Sequence, residues 1–292
     1  MKVRDMRLRR HGVVAIAVLG LMATAVVPAS AERGGGGLGG AAKAGAFALD
    51  VDVDVLGALP LDVGPLARLR LSGDAGPRYS NVLKAQVPPL LEALVLATGA
   101  QTKVTKGVYS KASARVATLK IKLLGELLIK LVKSECEVSN DGVKVASDIV
   151  FADGSVLNGL VAADMVGLAA RPNSRVSVPL VGDLILNEQK IEKHSSSKGS
   201  EVTVTVNALH LVLDGILGKG DVTVSQSVCR ASGKGIGKDL KVVSTTNGHD
   251  TSDQVGDSDG DGSNGLLDGI LGDGSLLGVN NLLGGGLLNG AL

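Results

Sequence analysis

The fold class is decided by residues 46–57, which read AFALDVDVDVLG. Apolar residues and aspartates alternate strictly from Leu49 to Val55. Because successive side chains of a β-strand point to opposite faces, this alternation predicts a strand that buries its apolar face. Carboxylates on the other face would lie about 7 Å apart, too far for one strand to hold a cation by itself. The row Asp50, Asp52 and Asp54 is therefore predicted to face solvent.

Short strands separated by turn residues recur along the chain. They are predicted at residues 61–63, 66–71, 115–123, 142–150, 156–161, 175–181, 182–187, 201–213 and 220–228. Two segments stay open, because residues 81–97 fit a short helix or a pair of strands and the leucines of 124–131 also fit helical spacing. The spacing of strands and turns is typical of a sandwich. The prediction is an all-β protein, a single β-sandwich-like domain with disordered Gly-rich termini.

The N-terminal region predicts export. Residues 1–12 carry five Lys or Arg residues, an apolar run follows from Val13 to Val27, and small residues lead to Ala31. This is the order of parts in a secretory signal peptide, and the apolar run is shorter than the roughly 20 residues that span a bilayer. Residues 1–31 are therefore predicted to be a signal peptide cleaved after Ala31, and no membrane span is predicted in the mature chain.

Glycine-rich stretches flank the predicted domain. Residues 32–45 are predicted to be a flexible Gly/Ala leader, residues 46–231 the β-sandwich, and residues 232–292 a low-complexity tail rich in Gly, Leu and Asp. Residues 251–292 contain 12 Gly and 6 Asp but no Lys, Arg, Glu or aromatic residue. A helix through so many glycines is disfavoured, at about 1 kcal/mol for each.

Composition argues against several classes of partner. Only 1% of the residues are aromatic and none is Trp, which leaves little for the stacking of nucleic-acid bases or sugars. The formal net charge is +1, which gives no reason to expect a polyanionic partner such as nucleic acid. A loose group of basic residues could still face an anionic cell-wall polymer, or could line solvated strand faces. The group comprises Lys103, Lys106, Lys111, Arg115, Lys120, Lys122, Lys130 and Lys133.

The chain has two cysteines, Cys136 and Cys229. In an exported protein an even number of cysteines predicts pairing, because the surroundings are oxidising. Each cysteine also ends a hairpin-like segment of similar pattern, which favours a bridge between comparable strands. A Cys136–Cys229 disulfide is therefore predicted.

Three short segments occur in a characteristic order: LNEQ at residues 186–189, VNALH at 206–210, and the cysteine at 229. In this order they resemble the choice-of-anchor P family, a group of exported bacterial proteins. The resemblance covers roughly residues 46–231. It implies a surface or extracellular domain without an assigned enzymatic activity, attached by different C-terminal anchors in different members. It also favours strands over a helix for residues 119–136.

The polar residues of these segments are predicted to form a structural cluster. Asn187, Glu188 and Gln189 are predicted to end a strand, where their side chains satisfy backbone groups at a sheet corner. Asn207 and His210 are predicted to lie on opposite faces, because they are three residues apart on a strand. The sequence contains no HExxH or CxxC motif and no phosphate-binding loop. The protein is predicted not to be an enzyme, and no catalytic or cofactor-binding residue is assigned.

One segment of the tail matches a metal-binding pattern. Residues 257–268 fit the calcium-loop template D-x-D-x-D-G-x5-E with Asp268 in place of the final glutamate. The candidate ligands are Asp257, Asp259, Asp261 and Asp268. Because Asp268 is shorter than glutamate, only weak calcium binding in the ~mM range is expected. A disordered acidic tract is the alternative.

Together these features predict a secreted protein at or near the bacterial cell surface, with a structural or adhesive role. Its partner would be a cell-wall polymer or an envelope protein. The alternative function is a calcium-responsive extracellular binding module that uses the acidic tail.

Overall fold

The computed structural model describes residues 40–251, apart from residues 56–58, 89, 106, 125–126, 154, 158–159, 198, 217, 238–239 and 247–248. Its elements in chain order are β1 (Ala41–Val55), β2 (Leu59–Leu66), β3 (Leu69–Ser72), β4 (Ala75–Val87), β5 (Leu91–Lys103), β6 (Tyr109–Ile121), β7 (Leu127–Ser139), β8 (Gly142–Phe151), β9 (Val156–Leu157), β10 (Leu160–Val161), α1 (Ala162–Ala169), β11 (Ser174–Val178), β12 (Gly182–Ser196), β13 (Gly199–Gly215), β14 (Gly218–Gly233), β15 (Val242–Thr246) and β16 (His249–Thr251). One turn of 3-10 helix lies at Lys122–Leu124.

Two sheets pack face to face, so the predicted all-β sandwich is confirmed. Sheet A has the order β11-β12-β13-β14-β1-β2, with β3 paired to β1 beyond the end of β2. Sheet B has the order β16-β15-β8-β7-β6-β5-β4. Neighbouring strands are antiparallel except β15, which runs parallel to β8. No helix in the described part of the chain is long and apolar enough to cross a bilayer.

Both segments that the sequence left open consist mainly of strand. Residues 81–97 belong to the β4–β5 hairpin, and residues 127–131 lie in β7, after the 3-10 turn that follows β6. The predicted strand at 156–161 is instead two two-residue strands that pair with each other and lead into α1, a short helix that the pattern did not indicate.

The sheets extend past both predicted domain boundaries. Strand β1 begins at Ala41, so the predicted flexible leader is wrong for residues 41–45. These residues pair with β14, and the small side chains of Ala42 and Ala44 fill the narrow space between the sheets. At the other end β15 and β16 add two strands to sheet B within the predicted tail. The predicted signal peptide and residues 252–292 lie outside the described residues.

In the middle of the long strands of sheet A, the side chains that face inward change from even-numbered to odd-numbered residues, a change of parity. In β14 the buried side chains lie at even positions up to Val224 and at odd positions from Ser225. The same change occurs at Ala48 in β1 and at Ala208 in β13. Ser225 and Asn187 adopt a left-handed backbone, with φ of 59° and 53°. We call this line across the sheet, defined by Ala48, Asn187, Ala208 and Ser225, the crease.

The crease continues across sheet B. Val95 in β5 has a φ of 49°, and buried positions change there from odd to even. In β6 they change from even at Val116 to odd at Leu119, and in β7 from odd at Ile129 to even at Val132. Both layers of the sandwich are therefore creased at the same level.

The crease separates two hydrophobic clusters. The larger cluster is built mainly from Leu, Val and Ile, and the smaller one mainly from Ala and Val around Cys136 and Cys229. Between them Ser225 Oγ donates a 2.8 Å hydrogen bond to the carbonyl of Ala114 on sheet B, and it lies 3.3 Å from Ser134 Oγ. Polar contacts thus connect the sheets where apolar packing is interrupted.

Candidate functional site

A disulfide joins the two sheets inside the smaller cluster. Cys136 lies in β7 and Cys229 in β14, with their Cα atoms 5.9 Å apart and both side chains buried. Each cysteine has an alanine on one of its two neighbouring strands, since Ala112 pairs with Cys136 and Ala44 pairs with Cys229. The predicted disulfide is confirmed. It fixes the sheets to each other at the end of the sandwich where apolar side chains are smallest.

A chain of polar side chains crosses the outer face of sheet A at the crease. Gln226 donates a 2.8 Å hydrogen bond to Asn207, and Asn207 donates a 2.6 Å hydrogen bond to Glu188 Oε2. The same carboxylate oxygen lies 2.9 Å from His210 Nδ1, and His210 Nε2 lies 3.0 Å from Asp221 Oδ1. Three neighbouring strands, β12, β13 and β14, are thereby linked through their side chains.

Two predictions about these residues are wrong, and the crease explains both. Asn207 and His210 lie on the same face, because the parity change at Ala208 shifts His210 by one position. Asn187 and its neighbours do not end a strand but lie inside β12, where Asn187 is fully buried with a left-handed backbone. The prediction of a structural polar cluster fits the contacts, since Gln189 donates hydrogen bonds to Asn187 Oδ1 at 2.7 Å and to Ser244 Oγ at 3.1 Å.

The contacts of His210 determine its protonation. Its hydrogen bond to Glu188 is the main reason that the pKa of His210 is raised, and the bond to Asp221 adds to this, whereas burial opposes it. In return the hydrogen bond from His210 is the main cause of the lowered pKa of Glu188. Both ring nitrogens face carboxylates, an arrangement that favours the imidazolium form and leaves neither nitrogen free to activate a hydroxyl.

An open groove of about 770 Å³ adjoins this polar chain on the outer face of sheet A. The floor is β1 from Lys43 to Phe47, and Gln226, the last member of the polar chain, forms part of the wall. Three more cationic side chains line the groove, Arg68 and Arg70 from β3 and the segment before it and Arg230 from β14, together with one carboxylate, Asp50 of β1.

Acidic residues gather at the opposite half of the same face. Asp52 of β1 pairs in register with Asp62 of β2 and with Asp221 of β14. Burial is the main reason that the pKa of Asp50 is raised, followed by the charges of Asp62 and Asp52. Asp52 and Asp54 are exposed, as predicted for the outer face of β1, and so is Asp62 on β2, whereas Asp50 is half-buried. Around β1, the outer face of sheet A therefore carries aspartates on one side of the crease and the cations Lys43 and Arg70 on the other.

The outer face of sheet B carries a network of ion pairs. Lys111 Nζ lies 2.8 Å from Glu135 and 3.7 Å from Glu137, and Lys133 Nζ lies 3.6 Å from Glu135 and 4.0 Å from Asp148. Lys111, Lys133 and Glu135 are each less than 10% exposed. Lys111 and Lys133 are therefore neither solvated nor available to an anionic polymer. For these two residues, both interpretations of the basic group, a solvated strand face and a polymer-binding surface, are wrong.

The predicted calcium ligands Asp257, Asp259, Asp261 and Asp268 lie outside the described residues. Within the described ranges no group of three or more His, Cys, Asp or Glu side chains is arranged to hold a metal ion.

Sequence reasoning missed the groove because Lys43 and Gly45 fell within the predicted leader. The signal that could have found it is the alternation of alanines at positions 42, 44, 46 and 48, which precedes the Leu49 pattern one position out of phase with it. Small residues at alternate positions indicate a strand that faces a narrow core as clearly as large ones do.

Comparison of the chain with protein-family models, with curated proteins and with solved structures gave no match.

Proposed function

We propose that this chain is an exported, non-enzymatic protein of the bacterial cell surface or surrounding medium, structural or adhesive in role, and a member of the choice-of-anchor P family. The buried disulfide between the sheets carries the proposal. A bridge between strands 93 residues apart forms and persists in an oxidising compartment outside the cytoplasm. The secretory pattern of residues 1–31 supports the same location.

The side chains of sheet A support a binding role over catalysis. His210 is held between two carboxylates and has no free nitrogen. The groove beside it presents cationic and apolar side chains on a rigid, cross-linked sheet, as suits recognition of a ligand from the envelope. We propose a cell-wall polymer or an envelope protein as the partner and not nucleic acid, because the chain has few aromatic side chains for base stacking.

Fractionation of a bacterial culture tests this function. We expect the full chain to accumulate in the medium or the wall fraction, oxidised, with Glu32 as its first residue. The control variant Leu19→Arg, which interrupts the apolar run of the leader, should stay in the cells. A wild-type protein that remains uncleaved and reduced in the cytoplasm would contradict the proposal. Release from the wall by a calcium chelator would support the calcium-responsive module instead.

A further inference from the structure

The groove on sheet A owes its depth to a missing side chain. Gly45 lies at the centre of the floor, with outward-facing Lys43 and Phe47 two residues away on either side of it along β1. On the neighbouring strands Gly45 pairs with Val228 and with Arg70. Every neighbour of this central position therefore carries a side chain that rises above the sheet, while the centre carries none.

The backbone does not require glycine at position 45. A Cβ atom there would meet the Leu69 carbonyl at 3.5 Å and Arg70 Cγ at 3.8 Å, which are ordinary contact distances. The other glycine positions on this sheet that pack against backbone, such as Gly220, would place a Cβ at 2.1 Å from a carbonyl oxygen. Glycine at 45 thus creates space above the sheet and relieves no strain.

The walls of this space carry more cationic than anionic groups, since Asp50 is the one carboxylate among the lining residues and burial raises its pKa. Lys43 and Arg70 are exposed and flank the central position directly, and Arg68 lies at the rim. Arg230, which pairs in register with Lys43, is partly neutralised by Glu201 at 2.5 Å. Among the described residues no ion pair is formed by Lys43 or Arg70. Guanidinium and ammonium groups placed around an open slot form a site for oxyanions, with arginine able to bind two oxygens at once.

The shape of the groove selects among anions. Successive outward positions on β1 are about 7 Å apart, so the floor from Lys43 to Phe47 extends for about 14 Å. A single small anion would contact only one end of it. An unbranched chain with a charge at each repeat can follow the strand and meet several of the cations in turn. Phe47 is the only aromatic residue that lines the groove, so consecutive nucleic-acid bases would have a single ring for stacking.

We propose that the groove centred on Gly45 binds a linear polyanion, an extended chain that carries phosphate or carboxylate groups at each repeat. The near-zero net charge of the protein does not oppose this, because the aspartates of β1 and β2 lie beyond the crease and only Asp50 among them lines the groove. The proposal deepens the proposed function by naming the class of ligand, but it rests on the geometry of the groove alone.

Binding of defined polymers to the purified full chain tests the proposal. Polyphosphate and polygalacturonate serve as the phosphate and carboxylate probes, with neutral dextran as the blank, in calorimetric titrations at several salt concentrations. We expect at least one of the two polyanions to bind, with an affinity that falls as salt rises. Which of the two binds more tightly identifies the chemical source of the oxyanions. Stronger binding of single-stranded DNA than of either probe would overturn the assignment.

Two variants and their matched controls locate the site. Lys43→Gln combined with Arg70→Gln should weaken binding about tenfold. The negative slope of log K against log salt should become less steep by about 1 to 2. The control pair, Arg78→Gln with Lys103→Gln, removes two exposed cations from sheet B. It should leave both the affinity and the slope of log K against log salt as they are in the wild type.

Filling the floor tests shape independently of charge. Gly45→Leu should weaken binding about as much as the charge variant does, because the side chain would occupy the space. Gly64→Leu, at an exposed position of β2 where a Cβ meets nothing within 4 Å, should have no effect. If Gly45→Leu binds like the wild type while its unfolding midpoint is unchanged, the groove assignment is wrong. A protein that stays in the cytoplasm but still binds a polyanion in the groove would refute only the proposed function. An exported protein that binds neither polyanion would refute only the groove assignment.

Discussion

Removal of the Cys136–Cys229 bridge should cost most of the protein's stability. The bridge closes a loop between residues 93 apart, and the chain-entropy model assigns such a loop about 4.6 kcal/mol at 25 °C. Domains have free energies of unfolding of about 5–15 kcal/mol. The variant Cys136→Ala with Cys229→Ala should therefore lose about 4–5 kcal/mol and become marginally stable.

Urea unfolding followed by far-UV circular dichroism measures this loss, since the chain has no Trp for fluorescence. Because an unbridged unfolded chain exposes more surface, the dependence of unfolding free energy on urea should also become steeper. Wild-type protein that is reduced in urea and refolded under reducing conditions provides the control, since it loses the bridge but keeps both sulfurs. A loss below about 2 kcal/mol, or an unchanged slope, would show that loop closure in the unfolded state is not the origin of the stabilisation.

Three further substitutions test the polar parts of the fold by the same unfolding measurement. Glu135→Gln should cost about 3 kcal/mol, because it leaves two nearly buried lysines without their shared carboxylate, whereas Lys130→Ala at an exposed pair should cost less than about 0.5 kcal/mol; equal losses would contradict this. His210→Gln should cost most between about pH 5 and pH 6.5, where both partners are charged. The raised pKa of His210 means that its contribution is lost as pH rises through the folded value, and the lowered pKa of Glu188 means that its contribution is lost only in acid; a pH-independent difference would rule the interaction out. Ser225→Val should cost about 2–3 kcal/mol, because it removes the hydrogen bond and places a branched side chain at positive φ. Ser225→Gly should cost about 1 kcal/mol less, because glycine tolerates positive φ; equal losses for the two variants would contradict a contribution from backbone strain.

The fold class could be predicted because alternation is a local pattern, and the disulfide could be predicted because the number of possible cysteine pairings is small. Alternation around Leu49 indicates the second half of β1 by itself, and two cysteines allow only one intramolecular pairing. The strands within residues 81–97 and 127–131 could not be separated from helices, because runs such as LLEALVLA satisfy both periods. In the structure their hydrogen-bond partners on neighbouring strands decide between the two.

The candidate site could be predicted less well, since it depends on pairings that are distant in sequence. Gly45 meets Arg70 through β3 and Val228 through β14, and no local pattern indicates either contact. The parallel pairing of β15 with β8 is similar, because residues 242–246 follow a polar stretch without any turn signal that points to β8. His210 was recognised as part of a polar cluster, but the side of the sheet on which it lies depends on the crease.

The crease is visible in the sequence as a shift of the apolar positions by one residue, although a search for strict alternation would overlook it. In β13 the apolar positions read Val202, Val204 and Val206 and then continue from Ala208 at Leu209, one position out of phase. A phase change in a single strand would turn half of its core side chains outward. The register between β13 and β14 stays constant on both sides of the crease, so neighbouring strands change phase together. A slip by one residue would misalign these changes and expose part of each cluster. The coordinated changes therefore fix the register of long strands that alternation alone would leave free to slide by two.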